Sequence, residues 1–442
     1  MSNLGFNTGY IEDLYRQYLE DPSSVSESWQ DFFADYNPGA EFVPHEPAVA
    51  TAPAEVAPKP AVAKAPASGD GAPAQAEDLV KTKAIRGAAA KIVENMEASL
   101  QVPTATSVRS VPVKLLAENR ALINAHQRDV GGSKVSYTHI IAFAIVRGMS
   151  KYPNMNTSFR KTNGTPEHVL HESVNLGLAI DIEKRGKRTL MVPNIKSADS
   201  LSFSEFLGHY NDLVRRTRDS ALELSDFDTT TATLTNPGMI GTILSVPRLM
   251  ATQGLIVGVG SIGYPTEYHA FPPEVIAQTG ISQVMTITST YDHRVIQGAE
   301  SGAFLKHVEQ LLTGHHGFYE EIFKSLGIPY QPYVLATDST PQVGSQRDEM
   351  DMVRKQARVL QLIRAFRVRA HLQADVNPLG YDWEYHPELD PKEYGLTIWD
   401  LDRRFVTGGL GGSDILPLRD ILDILRQTYT RKVGIEFMHI SD

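Results

Sequence analysis

A chain of 442 residues, 42% hydrophobic and 21% charged, is long enough for about two to four domains with real cores. Its formal net charge of −10 argues against nucleic acid or an anionic membrane as the main partner, because such binding needs a basic face; a local basic pocket for a phosphorylated ligand is compatible with it. Cysteine is absent, which removes disulfides and thiolate nucleophiles, and no apolar run approaches the ~18 residues of a membrane span.

The N-terminus, "MSNLGFNTGYIEDLYRQYLED", is acidic and lacks an apolar signal core, so a cytoplasmic protein is expected. Within residues 1–36, Tyr10, Leu14 and Tyr18 recur at helical spacing, and Asp21-Pro22-Ser23-Ser24 breaks the run. Trp29, Phe32, Phe33 and Tyr36 form a second aromatic stripe. Two short helices of this kind cannot make a core of their own. They either pack locally as a hairpin or dock on something larger. Residues 37–83 are nearly all Ala and Pro with scattered charges, the composition of a semi-stiff linker. The Gly69-Asp70-Gly71 triplet is read as part of that composition.

Residues 84–328 read as a globular block. "IRGAAAKIVENMEASL" sets Ile85, Ala89, Ile92, Met96 and Leu100 on one helical face. "VPVKLLAENRALINAHQ" and "SYTHIIAFAIVRGMSKYP" read as further helices. "SVNLGLAIDIE" and "TLMVPNI" are β-type, and "SFSEFLGHYNDLVRRTRD" is helical. The strands "TATLTN", "GLIVGVG" and "QVMTITST" follow, and the helix after His293 closes the block. This order predicts a mixed α/β layer. Residues 329–442 change again: a polar connector, a long basic amphipathic helix over "EMDMVRKQARVLQLIRAFRVRAHLQADVNPL", and further segments ending at Asp442 without a helical cap. They read as the opening of a larger domain.

Two stretches carry candidate chemistry. In "STYDHRVIQGAESG", His293 stands at a strand end between Asp292 and Arg294, with Gly298 permitting a tight passage into the next helix. An imidazole there can act as a base near neutral pH, and the flanking charges can fix its backbone; the alternative is a structural histidine. In "TATLTNPGMIGT", Thr235 precedes the turn signature Asn236-Pro237-Gly238. Its hydroxyl can donate to a developing oxyanion, or it is an ordinary residue at a strand exit.

Together, in this order, "RGAAAKIVENMEASL", "VNLGLAIDIEKRGKRTLMVPNIKSA", "TATLTNPGMIGT" and "YDHRVIQGAESGAFL" resemble the catalytic domain of the 2-oxo-acid dehydrogenase acyltransferases. The resemblance implies a chloramphenicol-acetyltransferase-like α/β fold. It also implies His293 as the base of the family's DHRxxDG signature, with Asp292 and Arg294 in support, and Thr235 as the oxyanion donor. The signature's Asp is here Gln297, which can hydrogen-bond but cannot hold a charge.

The flanks, residues 1–36 and "VLQLIRAFRVRAHLQADVNPLG" onward, resemble the decarboxylating component of 2-oxoglutarate dehydrogenase. The whole resembles the fused dehydrogenase/succinyltransferase proteins of actinobacteria. It implies succinyl transfer to coenzyme A and a homotrimer built on the acyltransferase domain. The implied partners are a lipoyl-bearing acyltransferase protein and dihydrolipoamide dehydrogenase. No lipoyl segment is recognisable, so the lipoyl group is expected on a partner. The thiamine diphosphate and Mg2+ motif is missing too, and is expected beyond residue 442. No metal ligand set is evident. A catalytically silent trimeric scaffold is the alternative reading.

Overall fold

The computed structural model describes Leu19, Asp21, Pro22 and residues 88–438 apart from 185–186, 220, 251, 339–345 and 378–384. The chain forms two compact units, Met1–Thr82 and Lys83–Asp442. Of the first, Leu19 is helical and Asp21 is not. The expected N-terminal helices and the Ala/Pro linker otherwise lie outside the described residues.

In the second unit the elements are α1 (Ala88–Ser99), β1 (Thr104–Pro112), α2 (Lys114–Asp129), α3 (Tyr137–Lys151), β2 (Thr157–Thr162) and β3 (Thr165–Leu170). Then come β4 (Leu176–Leu178), β5 (Ile180–Lys184), β6 (Lys187–Met191), β7 (Asn194–Ile195), α4 (Phe203–Asp219), β8 (Ala232–Thr235) and β9 (Leu255–Val259). The chain continues through α5 (Pro273–Thr279), β10 (Val284–Asp292), α6 (Gly298–Leu312), α7 (Phe318–Ser325), α8 (Gln346–Arg369), β11 (Arg404–Val406), β12 (Ile415–Pro417) and α9 (Leu418–Tyr429).

Six strands form one sheet in the order β1-β10-β9-β8-β4-β7. The β9–β8 and β8–β4 pairs are parallel and the others antiparallel. The sequence of β10 explains its two faces. Met285, Ile287, Ser289 and Tyr291 alternate with Thr286, Thr288 and Thr290, and a strand turns successive side chains to opposite faces. The first set faces α6, where the Ser301 hydroxyl donates to that of Ser289 at 2.9 Å. The threonine face is satisfied locally. Thr290 and Thr106 share a hydroxyl hydrogen bond of 2.8 Å, and Thr288 donates to the Ser245 carbonyl at 2.8 Å.

Behind the sheet, α3 is buried from Ile140 through Val146, as expected of a helix that is apolar all round. Gly148 lets α3 press on α6: a Cβ there would stand 2.9 Å from Phe304 and from Val308. At its start Ser136 and His139 form a reciprocal cap. The Ser136 N–H donates to His139 Nδ1 at 3.1 Å, and the His139 N–H donates to the Ser136 hydroxyl at 3.3 Å. Burial, aided by the Arg120 charge, pulls the His139 imidazole down to about 4, so it stays neutral and keeps that acceptor.

Three expectations need adjusting. The stretch before α2 is a strand, and Val111 and Pro112 end it before the helix begins at Lys114. The β2–β3 hairpin was not anticipated; it turns at Asn163 (φ 51°) and Gly164 (φ 87°), a turn with both central residues left-handed. Met96 on α1 and Leu100 just beyond it stay exposed at 39% and 63%, so these two positions of the expected apolar stripe are not buried; Ile85 and the side chains of Ala89 and Ile92 lie outside what the structure describes.

Residues 329–438 belong to the same compact unit as the sheet and share its core through Phe366, Ile398, Leu418 and Leu422. The Tyr333 backbone is held on α2 by both ends of the Asn119 amide, at 2.8 and 3.1 Å. Arg419 makes a bidentate pair with Glu118 at 2.9 and 3.0 Å. Arg403 joins the buried Asp400 at 2.7 Å, Asp338 at 2.8 Å and the Gln278 carbonyl at 2.9 Å. Among the described residues no helix is long and apolar enough to cross a membrane.

Candidate active site

His293 follows β10 directly. Its backbone N–H donates to the Pro103 carbonyl at 2.9 Å, one step beyond the β1–β10 ladder, and the Asp292 N–H donates to the Gly254 carbonyl at 3.0 Å. The ring itself is exposed, 5.6 Å from the Tyr291 ring. This is an imidazole presented to solvent on a backbone held from both neighbouring strands.

Asp292 and Arg294 make that backbone stiffer. The Asp292 carboxylate is 1% exposed. It accepts from Arg294 Nε at 2.9 and 3.1 Å, from Nη2 at 2.6 Å and from the Arg294 backbone N–H at 3.0 Å. A bidentate charge-assisted pair two residues apart closes a tight ring around His293. The Arg294 guanidinium also lies 3.8 Å over the Phe159 ring of β2. On the far side, the Asn154 amide donates to the Val295 carbonyl at 3.4 Å and to Glu300 at 2.5 Å.

Gln297 caps α6 through its backbone, whose carbonyl accepts from Glu300 and Ser301 at 3.1 Å each. Its side chain is exposed and makes no cap bond. Gly298 is not left-handed; what its bareness avoids is a Cβ 3.3 Å from the Tyr291 hydroxyl.

Thr235 ends β8 opposite Gly258. The following turn is tied down by Asn236, whose amide donates to the Thr138 hydroxyl on α3 at 2.8 Å. The loop beyond it is packed backbone against backbone: a Cβ on Gly260 would stand 1.9 Å from the Ile243 carbonyl oxygen. Along the same loop Met239, Ile240, Ile243 and Val246 are exposed at 81%, 76%, 68% and 59%. Four large apolar side chains in one short loop are unusual on a free surface.

The chain does not bring Thr235 and His293 together. Thr235 is level with Gly258 on β9 and Thr288 on β10. His293 lies five residues further along β10, roughly 17 Å at ~3.4 Å per residue, and two strands across. Asp292, His293 and Arg294 therefore form one cluster and Thr235 with Asn236 another. Among the described residues no group of three or more His, Asp or Glu could hold a metal ion. Asn154 and Phe159 escaped the sequence reading. The signal for the hairpin that carries Phe159 was present in Thr162-Asn163-Gly164-Thr165, an Asn-Gly pair between strand formers; Asn154 lies in the turn before it.

Comparison with known proteins gives these clusters a context. The family model for the 2-oxoacid dehydrogenases acyltransferase (catalytic domain) matches residues 77–318, and that for the 2-oxoglutarate dehydrogenase N-terminus matches residues 4–40. A multifunctional 2-oxoglutarate metabolism enzyme of Mycolicibacterium vanbaalenii is 44% identical over all of this chain and 38% of its own length. One from Mycobacterium sp. strain KMS is 43% identical over all of this chain and 39% of its own. The chain thus spans about two fifths of the curated relatives it matches. Among solved structures, a probable dihydrolipoamide acetyltransferase of Listeria monocytogenes aligns with TM-score 0.46 at 21% identity, over 58% of this chain and 99% of that one. The Azotobacter vinelandii dihydrolipoamide acetyltransferase aligns with TM-score 0.46 at 21% identity, over 56% and 94%. The family model, and not these distant alignments, carries the fold: a mixed sheet backed by helices, as in the acyltransferase catalytic domain. With their model matching more than half of its residues, this chain belongs to the 2-oxoacid dehydrogenase acyltransferases through their catalytic domain.

Proposed function

We propose that this chain transfers a succinyl group from a dihydrolipoyl thioester, carried by a partner protein, to coenzyme A. The observation that carries the reading is the exposed His293 ring on a backbone fixed by Pro103, Gly254 and the Asp292–Arg294 pair. The relatives' names support a four-carbon acyl group: 2-oxoglutarate that loses carbon dioxide leaves four carbons, which a lipoyl disulfide oxidises to the succinyl level as it takes them up and is itself reduced. His293 takes the proton of the coenzyme A thiol. The thiolate attacks the succinyl carbonyl, and the Thr235 hydroxyl donates to the oxyanion. The carbon–sulfur bond to the dihydrolipoyl group breaks, and His293 returns the proton to that sulfur. No step uses thiamine diphosphate or Mg2+, which we assign to residues outside these 442. Dihydrolipoamide dehydrogenase would reoxidise the partner's lipoyl group, in the cytoplasm.

The separation of His293 from Thr235 supports a site shared between copies. One copy supplies the base and the next supplies the oxyanion donor, in a closed ring such as a trimer. The exposed apolar row Met239, Ile240, Ile243 and Val246 beside Thr235 suits cover by a second copy.

Coenzyme A-dependent succinyl transfer with succinyl-dihydrolipoamide tests both parts. His293→Ala should lose about 10²–10⁴-fold in kcat. Mixed oligomers of His293→Ala and Thr235→Ala should regain activity, since one interface in the mixture carries both intact residues. A folded His293→Ala variant with near-normal kcat would overturn the base assignment. Verified mixed oligomers without recovery would overturn the shared site.

A further inference from the structure

We infer that Phe159, on the β2–β3 hairpin, is a positioning residue for His293, acting through Arg294. The inference deepens the proposed transfer reaction and rests on it. The Arg294 guanidinium is held on two sides: one edge is paired with the Asp292 carboxylate, and one face lies 3.8 Å over the Phe159 ring. A cation over an aromatic face is attracted by the ring's negative quadrupole, and a planar guanidinium stacks there well. Arg294 keeps 29% of its side chain exposed, so without the ring it has room to turn toward water. The Asp292 pair alone fixes its head; the ring fixes its plane.

The hairpin is firmly placed to do this. Its base is pressed on the strand that neighbours β10: a Cβ on Gly254 would stand 1.9 Å from the Thr157 carbonyl oxygen. The Thr157 hydroxyl donates to the Asn154 carbonyl at 2.9 Å, and the Asn154 amide donates to the Val295 carbonyl. The Ser158 hydroxyl and His171 Nε2 share a bond of 3.0 Å at the root of the hairpin. The segment carrying Asn154 and Phe159 therefore grips the residues after His293 at two points, Arg294 and Val295. Phe159 stacks on Arg294 and has no proton to give or take, so its effect must pass through the loop backbone.

The experiment compares Phe159→Leu, which keeps an apolar contact and removes the ring face, with Phe159→Tyr, which keeps the face. Two readouts are taken on the full chain: succinyl-transfer kinetics, and deuterium exchange of the amides in a peptide spanning residues 292–297. The Leu variant should lose about 3–10-fold in kcat with KM for coenzyme A within about twofold, and the loop amides should exchange faster; the Tyr variant should restore both. Unchanged kcat in the Leu variant, with or without faster exchange, overturns the positioning role. Equal losses in Leu and Tyr overturn the stacking argument. A wild-type chain with no transfer activity but with the Leu–Tyr exchange difference would count against the succinyl-transfer reading and not against the clamp.

Discussion

Replacing Asp292 with Asn changes almost no volume and removes one charge from a carboxylate that is 1% exposed. That carboxylate accepts three hydrogen bonds from the Arg294 side chain, at 2.6, 2.9 and 3.1 Å, and one from its backbone N–H at 3.0 Å. The amide keeps one acceptor and turns a donor toward the guanidinium. Hydrogen bonds to charged groups contribute ~1.5–3 kcal/mol, and leaving one partner of a buried pair alone costs more. Arg294 discounts that penalty, because its side chain is 29% exposed and can turn to water. The expected loss of stability is about 2 kcal/mol, a fall of about 3 °C in melting temperature for a unit of this length. The expected loss in catalysis is larger. A shift of ~1 Å in a reacting group can cost ~10²-fold, so kcat for succinyl transfer should fall at least ~30-fold with little change in KM. Differential scanning calorimetry and steady-state kinetics on the same preparation check both numbers. An Asn variant with wild-type kcat would refute the idea that this pair sets the position of His293. A melting temperature lowered by ~10 °C or more would make Asp292 a residue of the fold instead.

The buried His139 makes stability depend on acid. Its folded-state value, about 4, lies below the ordinary ~6.5, so the unfolded chain binds the extra proton first and stability falls as pH drops from ~6.5 to ~4. The full loss is about 3 kcal/mol; His139→Gln, which keeps an acceptor for the helix cap, should flatten that part of the curve in urea unfolding at pH 7 and 4.5. On the Thr235 side, Gly260→Ala places a Cβ 1.9 Å from the Ile243 carbonyl oxygen, which cannot swing aside as a side chain would. Urea unfolding should show a loss of about 2 kcal/mol or more, of the kind that overpacking produces, and wild-type stability would contradict the close backbone contact.

The parts of this fold that were legible in the sequence are those where one residue's neighbours decide its state. The strands β8, β9 and β10 are short runs of β-branched residues bounded by Asn, Gly and Pro, and α3 and α4 carry unbroken helical periods. His293 at a strand end could be read for the same reason. β1 was hidden because its "TATSVRSVP" mixes hydroxyls, Val and Arg, as an edge strand can, and its last residues lead straight into α2. The clamp on His293 was hidden for a different reason. Phe159 and Asn154 meet Arg294 and Val295 across more than 130 residues of chain, and no local period encodes such a meeting. Met96 and Leu100 show the converse case, in which a clean apolar period does not end in burial within the unit.

The underside of α2 has a consequence for how this catalytic domain can be handled. Glu118 is 5% exposed and Asn119 fully buried; Glu118 is paired with Arg419 and, at 2.9 Å, with Lys114, and Asn119 is bonded to the backbone of Tyr333. Lys114, one turn earlier, bonds Asp402 at 2.7 Å. A cut at residue 328 would strip the Asn119 amide of its partners and take Arg419 and Asp402 from Glu118 and Lys114, which would keep only each other at 2.9 Å, and would uncover apolar surface of the core that α9 shares. Sequence resemblance puts a border there, but the polar wiring of α2 does not. An acyltransferase excised at that border would inherit a wet, charged scar along α2, whereas one that retains residues 329–438 keeps the seam closed.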